Sequence, residues 1–242
     1  MRAYSLFHLL WLAAIILSSI LAAVASRREW IPRRVIRYAL AALLVGGELQ
    51  RYFTDGMAFP DRVPLNLCNV TTWVAVVACV TLSPVACEFV YFWGLIGAGM
   101  ALITPDMGAA WPPRFFVNHG ALIITAIAFS AGRIMPVRRG AMPRAYGWCV
   151  AYIAVMGLYN WRFGTNFAFI ARKPSYPTLL DVMGPWPFYV GSAALLGFAL
   201  LYLLWLPLRH RVQSEPLLVA ENFQGLALEQ AISCEPSAAQ GE

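Results

Sequence analysis

The chain has 242 residues, of which 60% are apolar and 12% are charged, and its mean hydropathy is +0.63. A soluble domain averages about 45–50% apolar and about 25% charged residues, so this composition excludes a soluble fold and indicates a membrane protein. The five cysteines show no CxxC spacing, which excludes a disulfide scaffold and a zinc ribbon. The net charge of +6 comes from arginines scattered between apolar stretches, which argues against nucleic-acid binding.

Seven apolar stretches are long enough to cross a membrane, since a helix needs about 20 residues to span roughly 30 Å of hydrocarbon. We therefore predict an all-α membrane protein in which residues 1–207 form a bundle of seven transmembrane helices. Residues 208–242 contain several acids and no long apolar face, which predicts a disordered tail. The predicted spans are 3–26, 35–53, 65–82, 84–104, 115–135, 143–163 and 184–207.

The basic residues predict the orientation of the bundle. Of the 18 lysines and arginines, 11 fall on one side, which by the positive-inside rule faces the cytoplasm. This places the N-terminus outside and the tail in the cytoplasm of a multi-pass cell-membrane protein. The end of the first span, Ala23–Ser26, also suits a cleavable signal peptide, but its apolar region is too long and basic residues follow it. The 11 residues are Arg27, Arg28, Arg33, Arg34, Arg37, Arg133, Arg138, Arg139, Arg144, Arg209 and Arg211.

A small set of polar residues lies inside the predicted spans, toward the outer side. An ionisable or polar group in lipid is costly and is by default a functional hypothesis. If helices begin at Pro64 and Pro113, a rise of 1.5 Å per residue puts Cys68 about 6 Å and His119 about 9 Å into the membrane. The same rise places four other residues in this outer layer. The set consists of Glu48, Cys68, Asn69, Asn118, His119 and Asn160.

A cysteine and a histidine at one depth suggest an activated nucleophile, in which the imidazole takes the thiol proton and the thiolate attacks a carbonyl. Glu48 or Asn160 would orient the imidazole, and the depth near the lipid headgroups points to a lipid ester. Other interpretations stay open: Cys68 as a small apolar side chain, His119 as an interhelical hydrogen-bonding group, and Glu48 as the ion-pair partner of Arg51. Cys68, His119 and Glu48 would supply three metal ligands, but without a second histidine we predict no metal and no cofactor.

The outer loop between the sixth and seventh spans, residues 164–184, carries two adjacent cations. Arg172 and Lys173 at headgroup depth would bind a phosphate group. The alternative is an ordinary solvated loop.

Four sequence strings carry a family resemblance: PLNLCN at 64–69, FFVNHG at 115–120, NWRFGTNFAFIARKP at 160–174 and LLDVMGPWPFY at 179–189. Together they resemble the YwaF-like family of integral membrane proteins, which is similar to a eukaryotic TMEM-type phospholipid acyltransferase. The resemblance spans roughly Glu48 to Leu206. It implies a seven-span fold and Cys/His acyl transfer between phospholipids, with Cys68 and His119 as the matching residues. Asn66 departs from the pattern, because relatives often carry histidine there.

The sequence leaves two functions open. The first is a phospholipid acyltransferase or transacylase with Cys68, His119, Glu48 and Asn160 as catalytic residues. The second is a non-catalytic heptahelical carrier or receptor that binds a small ligand in the same polar pocket. Membrane phospholipids are the expected partners, and the sequence does not predict the oligomeric state. The candidates for binding substrate are Asn69, Asn118, Asn166, Arg172 and Lys173.

Overall fold

A computed structural model describes residues 5–103, 113–135, 137–138, 140–175 and 178–208. Within these ranges the regular secondary structure is entirely helical, as the composition predicts. Two short 3-10 turns, Phe167–Phe169 and Leu179–Met183, lie in the last long loop. The seven long helices are α1 (Leu6–Arg27), α2 (Arg33–Asp55), α3 (Leu67–Thr81), α4 (Pro84–Ile103), α5 (Pro113–Ser130), α6 (Ala141–Phe163) and α7 (Phe188–Trp205).

The described helices coincide with the seven predicted spans. Among the described residues, α1, α4 and α7 are long and apolar enough to cross a membrane, and α3 is a shorter apolar helix. Large apolar side chains on α7, such as Leu195 and Leu203, are exposed, as expected of a surface that faces lipid. Seven crossings and the orientation of the termini stay predictions. The predicted disordered tail, apart from Leu208, lies outside the described residues.

One helix start differs from its expected position. The sequence places the start of the third span at Pro64, whereas α3 begins at Leu67 after Asn66, whose backbone is extended. Asparagine is among the residues favoured at this capping position, although the Asn66 side chain makes no capping hydrogen bond. Cys68 is therefore the second residue of α3 and lies in its first turn.

Small side chains bring the central helices α2, α3, α4 and α5 close together. Ala75 and Ala78 of α3, Ala98 of α4 and Ala126 of α5 are completely buried in one apolar cluster. In a membrane, small residues at helix contacts allow the close approach on which van der Waals packing depends. These four helices form the framework that carries the polar residues of the outer layer.

Helix α1 packs on α5 through aromatic rings. The Trp11 ring stacks on Phe116 with centroids 5.3 Å apart and planes 9° from parallel. On α5, a Cβ atom added at Gly120 would lie 2.8 Å from a side-chain carbon of Ile15, so glycine is required for this approach. His8 joins α1 to α4 instead, through a 2.9 Å hydrogen bond between its Nε2 and the carbonyl of Leu102.

Helix α4 joins the central helices to α6 and α7, and its middle, Val90–Ala98, is π-helical. Wider π-helical turns are frequent at functional sites. In the first turns of α4, Glu88 is 2% exposed and accepts hydrogen bonds from Arg138 and from Arg144. This cluster ties α4 to the loop before α6 and to the first turn of α6, at the end of the bundle opposite to Cys68.

Candidate functional site

A polar cavity of about 240 Å³ lies between α2, α3 and α5. It contains the acid, thiol, amides and imidazole that the sequence places in one outer layer, with the exception of Asn160. Its lining consists of Glu48, Arg51, Asp55, Cys68, Asn69, Thr72, Arg114, Phe115, Asn118, His119 and Leu122.

Cys68 presents its thiol between this cavity and the π-helical segment of α4. A Cβ atom added at Gly97 would lie 3.8 Å from the Cys68 sulfur, so the sulfur packs against the backbone of α4. Because α3 begins at Leu67, the backbone N–H groups of its first turn, which includes Cys68, have no carbonyl partner within the helix. The dipole of α3 favours a negative charge at this end of the helix.

His119 lies on α5, and its tautomer follows from its hydrogen bond. The imidazole Nδ1 lies 2.8 Å from the carbonyl oxygen of Phe115. A carbonyl only accepts, so Nδ1 carries the hydrogen and Nε2 of the neutral ring is an acceptor. The Phe115 ring covers the imidazole at a centroid distance of 4.3 Å. Cys68 and His119 line the same cavity, and the structure shows no direct hydrogen bond between them.

Glu48 is 3% exposed and is held by two donors. Arg51 Nε donates to Oε2 at 3.1 Å, and Asn69 Nδ2 donates to Oε1 at 2.9 Å. Of the two partners considered for this carboxylate, the structure shows Arg51 and no hydrogen bond to His119. Glu48 therefore connects α2 to the first turn of α3.

A second ion pair closes the outer edge of the cavity. Arg114 Nη2 donates to Asp55 Oδ1 at 2.8 Å, and its Nη1 donates to the Thr54 hydroxyl. Asp55 lies beyond the predicted span 35–53, and the hydrogen bond from Arg114 lowers the pKa of this carboxyl. These contacts join the end of α2 to the first turn of α5.

Asn118 fills the contact between α2 and α5. Its Nδ2 lies 3.4 Å from the Gly47 carbonyl oxygen, and a Cβ atom added at Gly47 would approach Asn118 Oδ1 to 2.1 Å. A side chain at position 47 would therefore displace the Asn118 amide from this wall of the cavity.

Asn160 lies apart from the polar cavity, contrary to the expectation that it orients the imidazole. Its Oδ1 accepts from the Thr165 hydroxyl and from the Phe167 backbone N–H, both at 2.8 Å. Its Nδ2 donates to the Phe167 carbonyl at 2.9 Å. Because the whole amide is used within this turn, Asn160 holds the chain that leaves α6.

The remaining predicted residues lie in the loop after α6 and do not line the polar cavity. Asn166 Oδ1 accepts from the backbone N–H of Arg172 at 3.1 Å, which orders the loop. The side chain of Arg172 is exposed. Lys173 Nζ lies 5.5 Å from the centre of the Tyr189 ring and 3.4 Å from the Asp181 carbonyl oxygen.

A second, larger cavity of about 720 Å³ adjoins the polar one. It lies between α4, α6, α7 and the last loop, and most of its lining is apolar. Phe115 lines both cavities. Leu67, the neighbour of Cys68, also lines the apolar cavity, as does Tyr152, whose hydroxyl donates to the Leu65 carbonyl at 2.8 Å. The cavity that contains Cys68 and the apolar cavity therefore share Phe115 as a wall.

Six residues that line the cavity are not among those that the sequence assigns to it: Arg51, Asp55, Thr72, Arg114, Phe115 and Leu122. A signal was available for Arg51, because Glu48, Arg51 and Asp55 follow the three- and four-residue spacing of one helix face. Phe115 and Arg114 offer no comparable signal, since their position depends on how α5 is rotated in the bundle.

The three-ligand metal alternative finds no support in the described part of the chain, where no group of three His, Cys, Asp or Glu side chains could hold a metal ion. In a comparison with protein families, the family described as TMEM164 family matches residues 3–205 of the chain. No curated protein and no solved structure matches the chain.

Proposed function

We propose that this chain, which belongs to the TMEM164 family, is a multi-pass protein of the cell membrane that transfers acyl chains between phospholipids. The observation that carries the proposal is that Cys68 and His119 line one cavity, next to an apolar cavity of about 720 Å³. The resemblance of the four sequence strings to the YwaF-like family, and the Cys/His chemistry that it implies, support the same assignment.

In the first half of the reaction, Nε2 of His119 accepts the Cys68 thiol proton and the thiolate attacks the ester carbonyl of a donor phospholipid. The bond between the carbonyl carbon and the glycerol oxygen breaks. The leaving oxygen takes the proton back from the imidazolium, so a lysophospholipid departs and an acyl thioester remains on Cys68. The hydrogen bond from Nδ1 to Phe115 keeps Nε2 available for both transfers.

In the second half, a lysophospholipid acceptor supplies the attacking hydroxyl. His119 Nε2 accepts its proton as the oxygen attacks the thioester carbonyl, and the carbon–sulfur bond breaks. The imidazolium then returns the proton to the thiolate. Donor and acceptor exchange an acyl chain, and the protein returns to its starting state without a cofactor.

The apolar cavity is the proposed site of the acyl chain. It begins beside Leu67 and Phe115, next to the thiol, and continues along α6 and α7. An acyl chain that binds in this cavity leaves the lipid hydrocarbon and contacts apolar side chains instead. Ligand pockets of this kind are typically apolar, with a few polar groups placed at the reactive end.

Acyl transfer from a labelled phosphatidylcholine to a lysophospholipid, measured with purified protein in lipid nanodiscs, tests the proposal. Cys68→Ser and His119→Ala should each abolish transfer while the thermal unfolding temperature stays near that of the parent. Cys79→Ser is the matched control, because Cys79 lines neither cavity. Full transfer by Cys68→Ser would contradict the assignment of Cys68 as the nucleophile. Absence of transfer by the folded parent protein would contradict the proposed function and favour a non-catalytic pocket that binds a small ligand.

A further inference from the structure

Among the described residues that line the polar cavity, Arg51 has a buried side-chain nitrogen without a hydrogen-bond partner. Its Nε donates to Glu48 at 3.1 Å, but its Nη2 is buried and has no hydrogen-bond partner among the residues that the structure describes. Buried N–H groups nearly always have a partner, and leaving a charged donor without one is costly. Nη2 of Arg51 can therefore donate a further hydrogen bond to an acceptor in the cavity.

The surroundings of Arg51 hold its guanidinium in place. Glu48 is fixed by Asn69 at 2.9 Å and in turn holds the Nε edge of Arg51. The guanidinium carbon also lies 4.6 Å from the centre of the Tyr52 ring. One edge of the guanidinium is thus committed to the protein, while the group as a whole lines the cavity that contains Cys68 and His119.

The second cation of the cavity, Arg114, is held by the protein through both of its terminal nitrogens. Both terminal nitrogens of Arg114 donate to the end of α2, one to Asp55 and the other to Thr54. Arg114 adds positive charge at the edge of the cavity, and Arg51 supplies the open donor. A planar guanidinium with an open donor suits a phosphate oxygen, because it offers charge and directed hydrogen bonds together.

We propose that Arg51, supported by Arg114, binds the phosphodiester group of the phospholipid substrate beside Cys68. This inference rests on the proposed function in taking a phospholipid as the substrate. It moves headgroup recognition from Arg172 and Lys173, which the sequence favours, to the cavity itself. Glu48 is then a positioning residue that holds Arg51.

Binding to a protein that cannot turn over tests this inference separately from catalysis. The protein is the full chain carrying Cys68→Ala, and the probes are diheptanoyl phosphatidylcholine and diheptanoylglycerol, which differ in the phosphate headgroup. Arg51→Gln should raise the Kd for the phospholipid about tenfold or more, equivalent to about 1.4 kcal/mol. The Kd for the neutral glyceride should stay unchanged.

Two further variants separate recognition from folding and from general charge. Arg62→Gln removes an exposed arginine outside the cavity and should leave both Kd values unchanged. The double variant Glu48→Gln/Arg51→Gln avoids leaving a buried carboxylate without its cation, and it should show the same selective loss as Arg51→Gln. If Arg51→Gln does not fold, Arg51→Lys takes its place. One ammonium cannot bind Glu48 and a phosphate equally well, so the Kd for the phospholipid should rise while the Kd for the neutral glyceride stays unchanged.

A phospholipid Kd equal to the parent's in the folded Arg51 variants would overturn the inference, as would an equal loss for both probes. Arg51-dependent binding of inorganic phosphate alone would show a site for the free ion and overturn the lipid assignment. Selective binding through Arg51 in a protein that never forms a thioester would keep this inference and reject the proposed function. Normal acyl transfer with an unchanged KM in Arg51→Gln would keep the proposed function and reject the assignment of Arg51 to the phosphodiester group.

Discussion

Glu48→Gln separates a positioning role of this residue from a role in the chemistry. The carboxylate receives Arg51 Nε on one oxygen and Asn69 Nδ2 on the other. Glutamine keeps the shape, but it has one acceptor oxygen and no charge, so at least one charge-assisted bond is lost or weakened. Hydrogen bonds to charged groups contribute about 1.5–3 kcal/mol and neutral ones about 0.5–1.5 kcal/mol, which gives a loss of roughly 1–2 kcal/mol.

For a chain of this length, such a loss lowers the thermal unfolding temperature by about 2–8 °C. The thioester on Cys68 should still form, because Glu48 makes no hydrogen bond to His119, whereas KM for phospholipid should rise as Arg51 loses its anchor. The assay measures unfolding in detergent together with kcat and KM. Asp61→Asn, at an exposed carboxylate of the connector between α2 and α3, should change none of these quantities. An unchanged unfolding temperature with a collapsed kcat would refute this reasoning.

Three other predictions concern separate parts of the molecule. Glu88 accepts three hydrogen bonds from Arg138 and two from Arg144. Glu88→Gln should therefore lower the free energy of unfolding by about 3 kcal/mol or more, which is measured as a larger drop in unfolding temperature than for Glu48→Gln. Acyl transfer by the folded variant should be unchanged. Gly47→Ala should displace Asn118 and raise the KM for phospholipid severalfold, whereas Gly46→Ala, where an added Cβ meets nothing within 4 Å, should behave like the parent; equal behaviour of the two would contradict the close approach. Phe115→Ala removes a ring that borders both cavities and should broaden the acyl-chain preference in a competition between donors of different chain length; an unchanged preference would place the chain elsewhere.

The sequence predicts the helices well because the signal is direct. Apolar runs of about 20 residues have few alternatives in lipid, since each backbone group must be hydrogen-bonded within its own segment. The second span, predicted at 35–53, is the helix Arg33–Asp55, and the sixth, predicted at 143–163, is Ala141–Phe163. The start of α3 is shifted by three residues, because Asn66 rather than Pro64 precedes the first helical turn.

The polar cavity is only partly predictable from depth. A rise of 1.5 Å per residue gives the level of a side chain but not the direction in which it points around the helix. Cys68 and His119, which the sequence places at similar depths, line one cavity. The sequence places Asn160 in the same layer, yet its amide is used by the turn at Thr165 and Phe167. Depth alone does not distinguish these cases.

Residues that complete the site depend on packing between distant helices. Arg51 follows Glu48 at helical spacing, but its buried Nη2 without a partner becomes visible only when α2, α3 and α5 are placed together. The position of Gly97 against the Cys68 sulfur depends likewise on the π-helical turn in α4. Such contacts join residues far apart in the chain, and no local pattern encodes them.

The central claim is that Cys68 carries the acyl group during transfer. The most direct measurement is peptide mass spectrometry of the purified protein after incubation with a phospholipid donor and no acceptor. We expect the mass of the peptide that contains Cys68 to increase by that of one acyl group. Neutral hydroxylamine should remove this group, and an added lysophospholipid should accept it. An unmodified Cys68 under conditions of measurable transfer, or an acyl group on Cys149 instead, would contradict it.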